Sequence, residues 1–352
     1  MSKNENTANE VKKQSFLKRK NIEISVQRYL VDALSFMALG LFSSLLIGTI
    51  MNTIGGKLGI PFLSETIWPI AKDMTGAAIG VAVAYGLQAP PLVLFSSVIT
   101  GAAGNALGGP VGAFLAAVIG AELGKMVSKE TKVDILVTPA VTIISGVLVG
   151  TFVGPGVAAF MTGLGKLIMY ATGLQPFFMG ILVSVIMGIA LTLPISSAAI
   201  CMMLGLGGLA AGAATAGCSA QMVGFAVMSF KENGWGGLVA QGLGTSMLQV
   251  PNIVRNWKVW IPPILVGAIT GPLSTLIFKM ENLPIGAGMG TSGLVGQLST
   301  ITSMEAAGKG GASMYIGILL LHIAIPAVLT PLIANFMRKK NWIKEGDLKI
   351  NL

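Results

Sequence analysis

Long apolar stretches without a charge recur along almost the whole chain, and they restrict the fold more than any other feature. The run Ile181–Leu193 holds no charged residue and does not alternate apolar with polar positions. A membrane barrel strand would alternate, whereas continuous apolar runs mark helices whose solvent is lipid. Only 11% of the residues are charged, against about 25% in soluble globular domains. That is too little charge to coat a water-exposed surface. The expected fold is therefore an all-α polytopic membrane protein. The 47 glycines fit this setting, where they let helix backbones approach closely and permit broken helices around a buried site.

The formal charge of +9 gathers at the two ends. Lys12, Lys13, Lys18, Arg19 and Lys20 precede the first apolar segment; Arg338, Lys339, Lys340 and Lys344 follow the last. A basic run could bind nucleic acid, but here the runs flank spans, and the positive-inside rule accounts for them without a nucleic-acid partner. Both termini are then expected in the cytoplasm. More than twenty largely polar residues precede the first apolar run, which does not read as a secretory signal. Cys201 and Cys218 lie in apolar, glycine-rich sequence and read as small buried hydrophobes.

Residues 1–27 read as a cytoplasmic basic arm, 28–337 as the transmembrane domain and 338–352 as a cytoplasmic tail. The first clear span covers about 31–51, and the stretch 57–73, with Pro61, Glu65, Pro69, Lys72 and Asp73, reads as interfacial. Further apolar segments include 91–108, 111–127, 135–153, 156–172 and 312–337. Several fall short of the ~20 residues a crossing helix needs, so about ten spans with one or two re-entrant, glycine-rich hairpins are expected. An internal repeat is suggested between 91–155 and 194–272. Both segments open on proline and a Ser-Ser pair (Ser96–Ser97; Ser196–Ser197) and close on Gly-Pro. Chance matching in apolar, glycine-rich sequence is the alternative.

Three stretches break the hydrophobic pattern: 101–110, which contains Asn105; 249–257, which contains Asn252, Arg255 and Asn256; and 286–297, which runs on toward Glu305. Five glycines across Gly286–Gly296 oppose a continuous lipid-facing helix, because each costs about 1 kcal/mol relative to alanine. Non-helical backbone survives at membrane depth only when it is buried in protein or faces water. There its peptide groups could bind a polar solute, with Thr291, Ser292 and Gln297 adding donors and acceptors. The alternative is a small-residue helix-packing surface. Arg255 could clamp a substrate or anchor an interfacial loop. Glu122, three residues before Lys125, reads as half of an i,i+3 ion pair at the interface. Glu305 has no nearer basic neighbour than Lys309 and is a functional candidate if it lies in the membrane. His322, the only histidine, reads as a hydrogen-bonded core residue rather than a proton relay. No catalytic motif, metal-ligand set or cofactor fingerprint is present in the sequence, and none of these is expected.

The strings GAELGKMVSKETKVDILVTP (120–139), LQVPNIVRNWKVWIPP (248–263) and GAGMGTSGLVGQ (286–297) resemble a family of bacterial membrane proteins. That family is grouped with the phosphotransferase-system EIIC sugar permeases and typified by the perfringolysin O regulator. The likeness runs over about residues 25–340. It implies a cytoplasmic-membrane permease domain for a sugar or other small polar solute, with separate A and B subunits as phosphoryl donors and a homodimeric state. The phosphorylated cysteine and histidine of B and A domains have no counterpart here, so the chain is at most the translocating subunit. Glu305 is similar in position to the substrate-binding glutamate of sugar EIIC domains, but its surroundings, SMEAAG, differ from theirs. The expected solute site comprises Asn105, Asn252, Arg255, Asn256, Thr291, Ser292, Gln297 and Glu305. Two other readings stay open: a sensor derived from a permease, and an ion-coupled secondary carrier using Glu305 or His322.

Overall fold

The computed structural model describes residues 16–350. The part of the basic arm that carries Lys12 and Lys13 lies outside the described residues, as do residues 351 and 352. Among the described residues the chain is helical, and the only extended pairing is an isolated antiparallel bridge between Gly208 and Asn282. The principal helices are α1 (Gln27–Gly56), α2 (Thr75–Gly86), α3 (Pro91–Val127), α4 (Asp134–Thr172), α5 (Pro176–Thr192), α6 (Gly208–Met228), α7 (Trp257–Ile277), α8 (Val295–Ala306) and α9 (Ala312–Lys339). Six of them, α1, α3, α4, α6, α7 and α9, are long and apolar enough to cross a membrane, while α2 and α5 are shorter apolar helices. These make the chain a multi-pass membrane protein.

The chain divides into two compact units, Met1–Gly40 with Gly76–Pro155, and Leu41–Thr75 with Gly156–Leu352. In the first unit, α3 is a helical hairpin rather than a rod. Gly108 (φ −145°, ψ 20°) and Gly109 (φ 60°, ψ −156°) leave the helical region. Gly104 and Gly112 then lie against each other's carbonyl group, although an unbroken helix would hold residues eight apart at about 12 Å. Residues 91–107 and 110–127 are therefore antiparallel arms. Only glycine readily takes the Gly109 conformation, and Pro110 restarts the helix without needing a hydrogen-bonded N–H. Small residues bring the unit together: Gly40 meets Ala78 and Ala82, Gly80 meets Ser97, and Gly146 meets Thr100.

The charged groups at residues 122–134 are organised within this unit. Lys125 Nζ lies 2.8 Å from Glu122 Oε2, with side-chain exposures of 1% and 10%. The expected i,i+3 pair forms and is enclosed by protein. Lys125 and Arg28 both donate to the Leu87 carbonyl, at 3.1 and 2.7 Å, and Tyr29 donates to Glu122 Oε1 at 3.3 Å. Two cations thereby satisfy a carbonyl just past the end of α2, where the helix dipole favours positive charge. Lys20 pairs with Glu130 at 2.5 Å and also reaches the Ser128 carbonyl.

In the second unit α6 lies at the centre, with 89% of its best apolar window enclosed by protein. Gly217 of α6 packs on the Ser184 carbonyl of α5, Gly271 of α7 packs on Gly180 of α5, and Gly224 of α6 packs on Thr330 of α9. The Ser184 hydroxyl donates to Gly267 O at 2.6 Å. After α6 the chain reverses at Gly234, which takes φ 58° and ψ −157°, nearly the same conformation as Gly109. Cys201 and Cys218 are free and buried, as the sequence suggests. The two segments compared as a repeat differ after the basic loop, where the first continues directly into α4 and the second inserts the helices Phe230–Val239 and Val250–Arg255 before α7. Their first helices also differ, since 91–107 fills a whole hairpin arm whereas Ser197–Leu204 has 8 residues.

Candidate solute site

The glycine-rich stretch 286–297 forms the site's backbone. The short helix Pro284–Ala287 ends at Gly288, and α8 begins at Val295. Between them Gly290 (φ +53°), Gly293 (φ +52°) and Leu294 (φ +59°) turn the chain through left-handed conformations. This broken segment is buried from Gly286 to Gly293 except at the half-buried Met289. Gly290 rests on the backbone of Cys218 and Ser219, so a Cβ there would come within 2.8 Å of the Cys218 carbonyl carbon. Cys218 and Ser219 stand midway along α6. Irregular backbone is thus shielded by protein beside the middle of the most enclosed spanning helix, the placement that membrane physics requires of it.

Polar side chains converge on this segment. Thr291 donates to the Gly242 carbonyl. Asn282 Nδ2 donates to Thr215 Oγ1 at 2.7 Å and to Gly296 O at 3.0 Å, and Ser197 donates to Gly288 O at 2.7 Å. Gln297 Nε2 lies 3.5 Å from Ser219 Oγ and 3.2 Å from His322 Nδ1. A neighbouring network joins Thr192, Gln221, Ser246 and Trp260, with the Trp260 indole donating to Gln221 Oε1 at 2.9 Å. None of these side chains carries a carboxylate, ammonium or guanidinium group.

Of the eight residues expected at the site, the structure places Thr291 and Ser292 buried on the broken segment and Gln297 buried in the first turn of α8 directly after it. The others lie elsewhere. Asn105 is half-buried in the first arm of α3, in the other unit. Asn252 and Asn256 hold the C-terminal tail instead of an open surface. Asn252 Nδ2 donates to Lys349 O at 2.9 Å, and Asn256 Nδ2 donates to Trp342 O at 2.9 Å and to Asp347 Oδ2 at 2.7 Å. Arg255 is exposed beside them. Glu305, expected to be buried, is exposed at the C-terminal end of α8, where Gly308 (φ +69°) follows and closes the helix. The polar loop after the helix takes the carboxylate away from the apolar interior. Ser219 was not identified from the sequence, because a serine in a run of small residues is indistinguishable there from a packing residue. His322 was visible, but its partner was not.

These features define a class: a helical membrane protein with a broken, polar-lined segment buried against a central spanning helix. Residues 31–350 match the model of the family described as phosphotransferase system, EIIC, and the chain belongs to that family. No curated protein and no solved structure matches the chain.

Proposed function

We propose that this chain is the membrane-translocating subunit of a phosphotransferase-type permease and carries a sugar or a similar small polar solute, held at the broken segment 288–297. The observation that carries this reading is the burial of Thr291 and Ser292 on non-helical backbone beside the midpoint of α6, with Gln297 buried in the first turn of α8 next to them. Peptide groups and neutral side chains in such a place can substitute for the water around hydroxyl groups. The neutral character of the cluster favours an uncharged solute over the ion-coupled alternative. Phosphoryl transfer would come from separate A and B subunits, and the working unit would be a homodimer in the cytoplasmic membrane. Both basic ends would face the cytoplasm, with the hairpin arms of α3 and the shorter helices bringing the crossings toward about ten.

Purified protein in liposomes, given a panel of radiolabelled monosaccharides with and without the soluble phosphotransferase proteins, tests the reading. Accumulation of one sugar, with phosphorylation when the soluble proteins are present, is the expected result. No uptake of any member under either condition would refute it. Reporter fusions at residues 20 and 349 should both read cytoplasmic.

A further inference from the structure

Two buried polar atoms on facing elements of the site make no hydrogen bond among the described residues: Gln297 Oε1 and His322 Nε2. Their side chains are joined to each other through Gln297 Nε2 and His322 Nδ1 at 3.2 Å. Residue exposure is 6% for Gln297 and 0% for His322. An unpaired buried polar atom costs about 1–3 kcal/mol, and two on one joined pair of side chains call for an explanation.

The joined pair has a property that does not depend on how its protons are assigned. If the Gln297 amide donates to Nδ1, the ring proton sits on Nε2, which leaves one donor (His322 Nε2–H) and one acceptor (Gln297 Oε1). If the Gln297 side chain is flipped, Nδ1–H donates to its oxygen, which leaves one acceptor (His322 Nε2) and one donor (the Gln297 amide). Either way the pair offers one donor and one acceptor. A cation would need acceptors only, and an anion such as a phosphate ester would need donors only. The hydroxyl groups of a neutral polyol, each able to donate or to accept, satisfy the two sites.

We infer that Gln297 and His322 form a hydroxyl-reading subsite, with His322 contacting the transported solute directly. The inference rests on the permease reading above and adds to it a residue and a charge preference. Two further observations support the placement. His322 lies in the wide π-helical turn Ile318–Ala324 of α9, and such turns gather at functional sites. Ser292, on the broken segment itself, also keeps a buried hydroxyl without a partner. The subsite is enclosed by protein, so a solute gains entry only when the surrounding elements move.

The test uses full-length protein in detergent with D-glucose, D-mannose, D-galactose and N-acetyl-D-glucosamine, and with their 6-phosphates, as probes by calorimetry. Because the chain has one histidine, selective ring-¹⁵N labelling gives a single imidazole whose two nitrogen resonances can be followed. Expected is binding of at least one neutral sugar over its 6-phosphate, with a shift of the Nε2 resonance. His322→Phe should weaken binding by roughly ten- to a hundredfold, whereas His322→Gln, which keeps a polar atom near Nε2, should stay within about threefold of the parent. Gln297→Leu should weaken binding as His322→Phe does. Should His322→Phe fail to fold, the resonance shift in the parent decides the matter alone. A sugar bound by the parent with no movement of the imidazole resonances, or bound equally by His322→Phe, would overturn the inference while leaving the permease reading intact. Preference for the 6-phosphate would overturn the charge preference and with it the subsite. No binding of any probe by the parent would overturn both.

Discussion

Asn252 and Lys349, 97 positions apart, are joined by a hydrogen bond of 2.9 Å from the buried asparagine amide to the tail carbonyl. Gln249 reaches the Leu348 carbonyl at 3.0 Å and Gln241 Oε1 at 2.8 Å, and Asn233 also donates to Leu348 O. A row of amide side chains thus receives residues 342–350, which fold through a turn at 345–348. Gln241 belongs to the same turn as Gly242, whose carbonyl accepts from Thr291. Hydrogen bonds and one short turn therefore connect the tail to the broken segment.

Asn252→Leu should loosen the tail, since it leaves the Lys349 carbonyl and Gln249 Oε1 without their donor, a loss of about 1–3 kcal/mol. Carboxypeptidase digestion of the purified protein should release residues 342–350 faster in the variant, with a lower thermal midpoint. Equal digestion rates would show that the amide contributes nothing to holding the tail.

Glu122→Gln should be the costly acid substitution. Lys125 Nζ is almost wholly enclosed, and breaking a buried pair from one side leaves an uncompensated charge, typically a loss of 3–5 kcal/mol. Glu305→Gln, at an exposed helix end, should change thermal stability within about 0.5 kcal/mol. Thermal unfolding of both variants in detergent checks this. A midpoint for Glu122→Gln equal to the parent's would rule out the buried-pair account.

Gly290→Val should disrupt the broken segment more than Gly293→Val. Both glycines have positive φ, which a β-branched residue resists. A Cβ at Gly290 meets the α6 backbone at 2.8 Å, whereas one at Gly293 meets only the Ile50 side chain at 3.3 Å and its backbone at 3.5 Å. Sugar binding by Gly290→Val should be lost while the protein still inserts in the membrane, with Gly293→Val retaining part of it. Binding unchanged in both would assign the stretch to helix packing alone.

The docking of Lys20 on Glu130 should be lost in acid. The hydrogen bond from Lys20 holds the Glu130 carboxyl below its usual value of 4.5. A depressed carboxylate contributes its stability above the unfolded value, and that contribution disappears as pH falls through the folded value. Hydrogen exchange at residues 16–29, corrected for the intrinsic pH dependence, should therefore stay slow down to pH 4.5 and accelerate below it. Glu130→Gln should remove that pH step.

The sequence alone determined the solvent and the alphabet of this protein. Hydropathy is local and additive, so charge-free runs such as Ile181–Leu193 announce helices in lipid wherever they pack. The left-handed turns at Gly109 and Gly290 were foreshadowed for a similar reason, because clustered glycines oppose a helix whatever surrounds them. The Glu122–Lys125 pair was legible because three residues of helix fix the two side chains on one face. What only the tertiary structure decided is which polar group meets which. Asn252 and Asn256 read as solute ligands until the tail arrives from nearly a hundred residues away. Glu305 read as a buried acid until α8 ends and carries it out. His322 acquires Gln297 as a partner only when α9 packs beside the broken segment. A buried polar atom's role is set by the donor or acceptor opposite it, and in these three cases that neighbourhood is fixed by where helices end and what packs against them, which a local pattern cannot encode.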